Sequence, residues 1–113
     1  MDATALRTEP TERQFTVMIV RLARLHGWLV AHFRPAMNRR GKWSTAIQGD
    51  VGFPDLILIH PRRGKALAIE LKVRGRKPEP DQVRWLAAFA QAGVESAVWM
   101  PEQWDQIAAT LAE

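Results

Sequence analysis

The sequence predicts an α/β fold, a small mixed β-sheet flanked by α-helices in the order α-β-β-β-α-β-α. Three observations carry this. Phe15, Met18, Ile19, Leu22 and Leu25 recur at helical spacing, which marks an amphipathic helix. Residues 56–59 and 66–69 are apolar throughout and are separated by a turn-like Pro-Arg-Arg-Gly stretch, as expected of two buried strands. Two further helical segments each open on a proline, Pro80 and Pro101, and enclose the apolar stretch 94–100; proline suits the first turn of a helix.

Taken in order, residues 1–10 read as a loose leader and 11–113 as one domain. Thr11 is a suitable N-cap for the first helix and Gly27 a suitable stop. Residues 28–33, Trp-Leu-Val-Ala-His-Phe, read as a strand. Residues 34–51 show no periodicity and contain Pro35, Asn38, Gly41 and Gly49, a long functional or mobile loop. The two opening strands follow at about 55–60 and 65–73, then a basic loop, a helix over 80–93, a strand over 94–100 and a last helix from Pro101. No internal repeat or low-complexity tract is present.

Length and composition bound the function. A chain of 113 residues makes one domain, small enough that dimerisation adds appreciably to its buried core. With no cysteine, disulfides and thiolate zinc sites are excluded. No apolar run approaches the roughly 18 residues of a membrane span, and no secretion signal is present, so a cytoplasmic setting is expected. The net charge is +4, but residues 34–77 hold eleven Lys or Arg against three acids. A basic middle in an acidic frame suits a polyanion, and the predominance of arginine suits phosphate contacts. The alternative is a solvated basic surface. His26, His32 and His60 have no metal-ligand spacing and read as structural; no glycine-rich phosphate loop points to nucleotide hydrolysis.

The charges on the apolar strands need a reason, because ionised groups in a sheet core cost several kcal/mol each unless compensated. With Arg62 and Arg63 at the hairpin tip, Asp55 falls opposite Glu70, and such pairs put side chains about 5 Å apart on one face. Glu70 and Lys72 alternate with Leu71 and so share that face. Two carboxylates at that separation repel by roughly 3 kcal/mol at an effective dielectric of 20. A divalent cation reverses the sign, and hard oxygen ligands suit Mg2+ or Mn2+. Lys72 beside it could steer or deprotonate a water, or stabilise developing negative charge. The alternative is a plain Asp–Lys or Glu–Lys ion pair. Pro54 fixes the backbone before Asp55, and Gly52 allows a tight approach.

Pro54-Asp55 followed by Glu70-Leu71-Lys72 resembles the PD-(D/E)XK nuclease superfamily. Glu12 on a first helix ending in His-Gly-Trp, the stretch Gly-Asp-Val-Gly-Phe-Pro-Asp-Leu at 49–56, and Gln82 opening a helix after the basic loop extend the resemblance to the VRR-NUC family of virus-type replication-repair nucleases, over about residues 11–104. The resemblance implies a restriction-endonuclease-like fold and metal-dependent hydrolysis of DNA phosphodiesters, leaving a 5′ phosphate. It implies that Asp55, Glu70 and the Leu71 backbone carbonyl bind Mg2+ or Mn2+, that Glu12 joins them directly or through water, that Lys72 is the catalytic lysine, and that Gln82 helps arrange the site. Read from the residues alone, Glu12 favours a helix dipole and Gln82 closes a capping box. Glu79 departs from the Ser or Thr with which the family tends to cap this helix.

Stand-alone members of the family resemble Holliday junction resolvases and act as homodimers, so the resemblance implies a structure-selective endonuclease for branched DNA in replication, recombination or repair, in a bacterial or phage setting. Arg39, Arg40, Lys42, Arg74, Arg76 and Lys77 are the expected phosphate contacts. Trp43 is placed to stack on an unpaired base or to be buried in a dimer interface. Two other readings stand beside this one: a module that binds branched DNA without cutting, and a subunit that cuts only with a helicase partner.

Overall fold

The computed structural model describes residues 9–33, 36–37, 43–44 and 49–113. Helix α1 spans Glu12–Leu25. Thr11 Oγ1 accepts from Gln14 N–H at 3.1 Å and Gln14 Oε1 accepts from Thr11 N–H at 2.9 Å, a reciprocal capping box. Gly27 takes φ +92°, a region open to glycine at little steric cost. The Trp28 N–H donates to Ala23 O at 3.0 Å, and the chain turns into β1, Leu29–His32.

The segment expected to be a plain loop contains two short strands, β2 (Ala36–Met37) and β3 (Trp43–Ser44), paired antiparallel as a separate ladder. Asn38 and Gly41, which favour turns, lie between them in sequence. After these come β4 (Leu56–His60), β5 (Lys65–Leu71), α2 (Pro80–Gln91) and β6 (Glu95–Trp99). The last helix, α3, begins only at Trp104 and runs to Ala112; the expected proline start, Pro101–Gln103, is a 3-10 turn. Gln103 Oε1 accepts from Met100 N–H at 2.9 Å, which closes that turn tightly.

The main sheet has the order β1-β4-β5-β6. Its first two pairs are antiparallel and the last is parallel, with α2 as the crossover that a parallel pair requires. The fold expected from the sequence is therefore present: a small mixed sheet flanked by helices.

One sheet face meets α1 and α3. Phe15 and Ile19 from α1, Leu56 and Leu58 from β4, Leu67, Ile69 and Leu71 from β5, and Ile107 and Leu111 from α3 form one buried cluster. Burying a side chain of this kind stabilises by about 1.5–3 kcal/mol. The apolar stripe of α1 is rotated from the one expected. Met18 and Leu25 are exposed, while Thr16 and Ala23 are buried. Burial of Thr16 is tolerated because its hydroxyl donates to Glu12 O at 2.7 Å. The other sheet face takes α2: Ser96, which alternates with the core-facing Ala97, donates its hydroxyl to Leu86 O at 2.7 Å. Among the described residues, no helix is long and apolar enough to cross a membrane.

Candidate active site

The hairpin sets the site. β4 and β5 pair Leu56 with Ile69 and His60 with Lys65, so the connection 61–64 is centred on Arg62 and Arg63. Continued by one residue, this register puts Asp55 opposite Glu70, as the sequence predicts. Ile69 and Leu71 are buried against the core, so Glu70 and Lys72 face the opposite side of the sheet. Asp55 lies just before β4 and extends both of its ladders. Its carbonyl accepts from Phe33 N–H at 2.8 Å, and its Oδ2 accepts from Leu71 N–H at 2.8 Å. The Lys72 N–H donates to Trp99 O at 3.1 Å, which fixes the strand where the lysine leaves it.

Asp55, Glu70 and Lys72 thus meet at one end of the sheet. Glu70 is 1% exposed. Lys72 Nζ stands 3.4 Å from Glu70 Oε2, while Glu70 Oε1 is buried and has no hydrogen-bond partner among the described residues. Burial pushes the Glu70 carboxyl up to about 8; the Asp55 charge adds to the rise and the Lys72 ammonium opposes it. Burial also raises Asp55, against the Leu71 amide, with the charge of Glu12 adding to the rise. The Asp55 and Glu70 carboxyls each act on the other's titration.

A buried, unpartnered oxygen costs about 1–3 kcal/mol, and more when charged. A cation offsets that cost and the repulsion between the carboxylates together. The donor set consists of carboxylate oxygens, with the Leu71 carbonyl beside them in the chain, and this suits Mg2+ or Mn2+. The residues present therefore fit a hard divalent ion.

The other expected residues divide. Glu12 opens α1, and its charge reaches Asp55. Among the described residues no three His, Cys, Asp or Glu side chains gather into a metal-holding group, so Glu12 lies outside the carboxylate pair. Gln82 Oε1 accepts from Glu79 N–H at 2.8 Å, the capping role. The departure at Glu79 leaves the helix start intact, because Gln82 supplies this bond. Arg74, Arg76 and Lys77 are exposed in the loop after β5. Arg39, Arg40 and Lys42 lie outside the described residues, as does the side chain of Trp43.

Three supports hold these residues, the first of them the tight approach expected at Gly52. Gly52, at φ +97°, packs so closely on the first turn of α2 that a Cβ there would lie 2.6 Å from the Asp81 backbone. Phe53 makes edge contacts with Phe33, Trp85 and Phe89, and Trp85 Nε1 donates to Val51 O at 3.1 Å. Together these seat the loop that delivers Asp55 against the helix that carries Gln82. Glu9 Oε1 accepts from Arg74 N–H at 3.0 Å, where Arg74 takes φ +57°. The proximity of Gly52 and Asp81 has no local signal in the sequence; the four aromatic residues are visible there, but not their clustering.

Comparison with known proteins bears on the fold. A solved structure of a VRR_NUC domain is 26% identical, with 85% of this chain and 91% of that one covered at a TM-score of 0.61. A second, a VRR_NUC domain protein, shares the fold at 19% identity and a TM-score of 0.53, with 82% and 79% covered. No curated protein matches. The sequence pattern of the VRR-NUC domain matches residues 36–100, more than half of the chain, and the chain, with its nuclease-type fold, therefore belongs to the VRR-NUC family.

Proposed function

We propose that this chain is a Mg2+- or Mn2+-dependent, structure-selective endonuclease that hydrolyses phosphodiester bonds of DNA, with branched DNA such as a four-way junction as its preferred substrate. The observation that carries the reading is Glu70 Oε1: a buried carboxylate oxygen with no hydrogen-bond partner among the described residues, beside Asp55 and a lysine. Asp55, Glu70 and the Leu71 carbonyl would hold the ion, and Glu12 would reach it through water. When bound, the ion supplies a Lewis acid for the phosphate and makes a bound water more acidic.

The chain's own residues do the rest. Asp55 is held by Leu71 N–H, so its carboxylate keeps a fixed aim. Lys72 is engaged with Glu70 at 3.4 Å, and an ammonium has three donors. The remaining donors orient the attacking water and meet the negative charge that develops on the phosphate. Gln82 and Gly52 keep α2 and the Asp55 loop in register. Arg74, Arg76 and Lys77 hold flanking phosphates. A homodimer belongs to the same reading: Leu29 and Ile59, register partners on the sheet face away from the core, are 63% and 38% exposed.

Cleavage of a panel of junction, flap, single-stranded and duplex DNAs, with each metal in turn, tests this. Wild-type protein should cut the junction in preference to duplex. Asp55→Ala should cut below detection and bind DNA about as well as wild type. Cleavage by Asp55→Ala at the wild-type rate would overturn the assignment.

A further inference from the structure

A groove of about 490 Å³ runs between α1 and β1. Arg13, Arg21 and Arg24 line its helix side, and Val17, Val20 and Val30 contribute apolar surface. All three arginines are exposed, and none takes part in an ion pair among the described residues. Arginines on a merely solvated helix face commonly find a carboxylate three or four residues away. Here positions 17, 20, 25 and 28, four residues away, are Val, Val, Leu and Trp, and Glu9, four before Arg13, lies ahead of the helix and accepts from Arg74 N–H.

The groove begins at the end of the sheet that carries the candidate active site. Arg13 follows Glu12, whose charge reaches Asp55. At the same end of β1, His32 pairs with Leu56 and Phe33 N–H bonds to Asp55 O. Arg24 lies at the far end, by the Gly27 turn. Eleven residues of helix separate Arg13 from Arg24, roughly 16 Å at about 1.5 Å per residue. That is the axial rise of about five phosphates along one strand of B-DNA. Among the described residues the lining holds no Trp, Phe or Tyr, and His32 is its one aromatic ring, so contacts to phosphates outweigh base stacking. Forked guanidinium groups match phosphate oxygens.

We propose that the α1–β1 groove binds the phosphodiester backbone of the DNA arm that leaves the candidate active site, through Arg13, Arg21 and Arg24. This rests on the DNA-nuclease reading above and adds a contact surface to it. An acidic protein segment is the other polyanion with matching charge; the opening of the groove at the site end of the sheet favours DNA.

Fluorescence anisotropy of a labelled four-way junction in EDTA, titrated over salt concentration, tests it on the full chain. The combined Arg13→Gln, Arg21→Gln and Arg24→Gln variant should bind at least about tenfold more weakly at 0.1 M salt. Its log Kd should depend less steeply on log salt by about 2.7, at roughly 0.9 for each phosphate that the variant no longer neutralises. The corresponding Lys triple variant should keep the wild-type slope. Melting followed by circular dichroism should be unchanged, since these side chains form no ion pair among the described residues. Should the Gln triple variant melt early, the single Arg21→Gln variant decides, with an expected slope change of about 0.9. Wild-type affinity and slope in a folded Gln variant would overturn the proposal. So would retained junction binding with abolished binding of poly-glutamate, which would assign the groove to an acidic protein. Failure of the wild-type chain to bind any DNA would instead sink the nuclease reading itself.

Discussion

Glu70 concentrates the energetic problem of the site in one side chain. Its carboxyl is buried, one oxygen is unpartnered among the described residues, and its pKa stands at about 8 against an ordinary 4.5. The native chain therefore holds a proton between those values that the unfolded chain has released. Protons bound in excess by the native state make unfolding easier as pH rises. The stability Glu70 contributes is full below about 4.5 and is lost as pH rises towards 8, and the raised Asp55 acts in the same direction. The melting temperature of metal-free protein should thus fall across that range, and Mg2+ or Mn2+ should raise it most at the alkaline end. Glu70→Gln should flatten the pH dependence and abolish the metal-induced rise, while melting at pH 8 no lower than wild type. A metal-induced rise that survives in Glu70→Gln would remove Glu70 from the ion site. This much was legible in the sequence, because strand alternation and a symmetric turn are enough to place Asp55, Glu70 and Lys72 together. The second role of Asp55, as acceptor for Leu71 N–H, was not, because it depends on where the ladder stops.

At the scale of elements, the site depends on how the Asp55 loop seats against α2. The backbone at Gly52 lies against that of Asp81, and φ is +97°. A Cβ there meets backbone rather than a flexible side chain, and it also requires a conformation that L-residues rarely adopt. Gly52→Ala should therefore destabilise by about 2–4 kcal/mol, the sum of a strained backbone and overpacking, read from the urea midpoint at unchanged slope. Junction cleavage should fall further than stability alone explains, because Asp55 shifts relative to Gln82; stability and cleavage at wild-type levels would show that the loop seats itself without this contact. Helix starts at Thr11 and Pro80 were readable, since caps and prolines act locally. The rotated stripe of α1 was not. Leu25 fits the helical period, but the chain turns into β1 beside it, whereas Thr16 can be buried once Glu12 O accepts its hydroxyl. Position in the turn and a single hydrogen bond outweigh hydropathy there.

At the scale of the whole molecule, charge has to be counted in space rather than along the chain. Residues 34–77 look like one basic surface in sequence, yet the hairpin divides them. Arg74, Arg76 and Lys77 follow the site end of β5. Arg63 and Lys65 lie at the other end, about 20 Å away at roughly 3.3 Å per strand residue. There Arg63 donates to Leu111 O at 3.2 Å and to Ala112 O at 3.0 Å, and Lys65 pairs with Glu113 at 3.5 Å. The Arg63 guanidinium also sits 6.0 Å from the Trp28 ring centre, and the Trp28 indole donates to Leu111 O at 2.9 Å. A cation on the last carbonyls of α3 complements the helix dipole. Arg63 is thus occupied in closing α3 over the core, whereas the groove arginines of α1, outside the basic segment of the sequence, have no such partner among the described residues. Arg63→Ala should cost about 1 kcal/mol, because the carbonyl bonds and the cation–π interaction go at a partly exposed position, measured by urea unfolding. It should leave junction affinity and its salt slope at wild-type values in the anisotropy assay. A slope reduced by about 0.9, the signature of one phosphate fewer neutralised, would place DNA at the hairpin tip as well and would mean that the duplex wraps around both ends of the sheet.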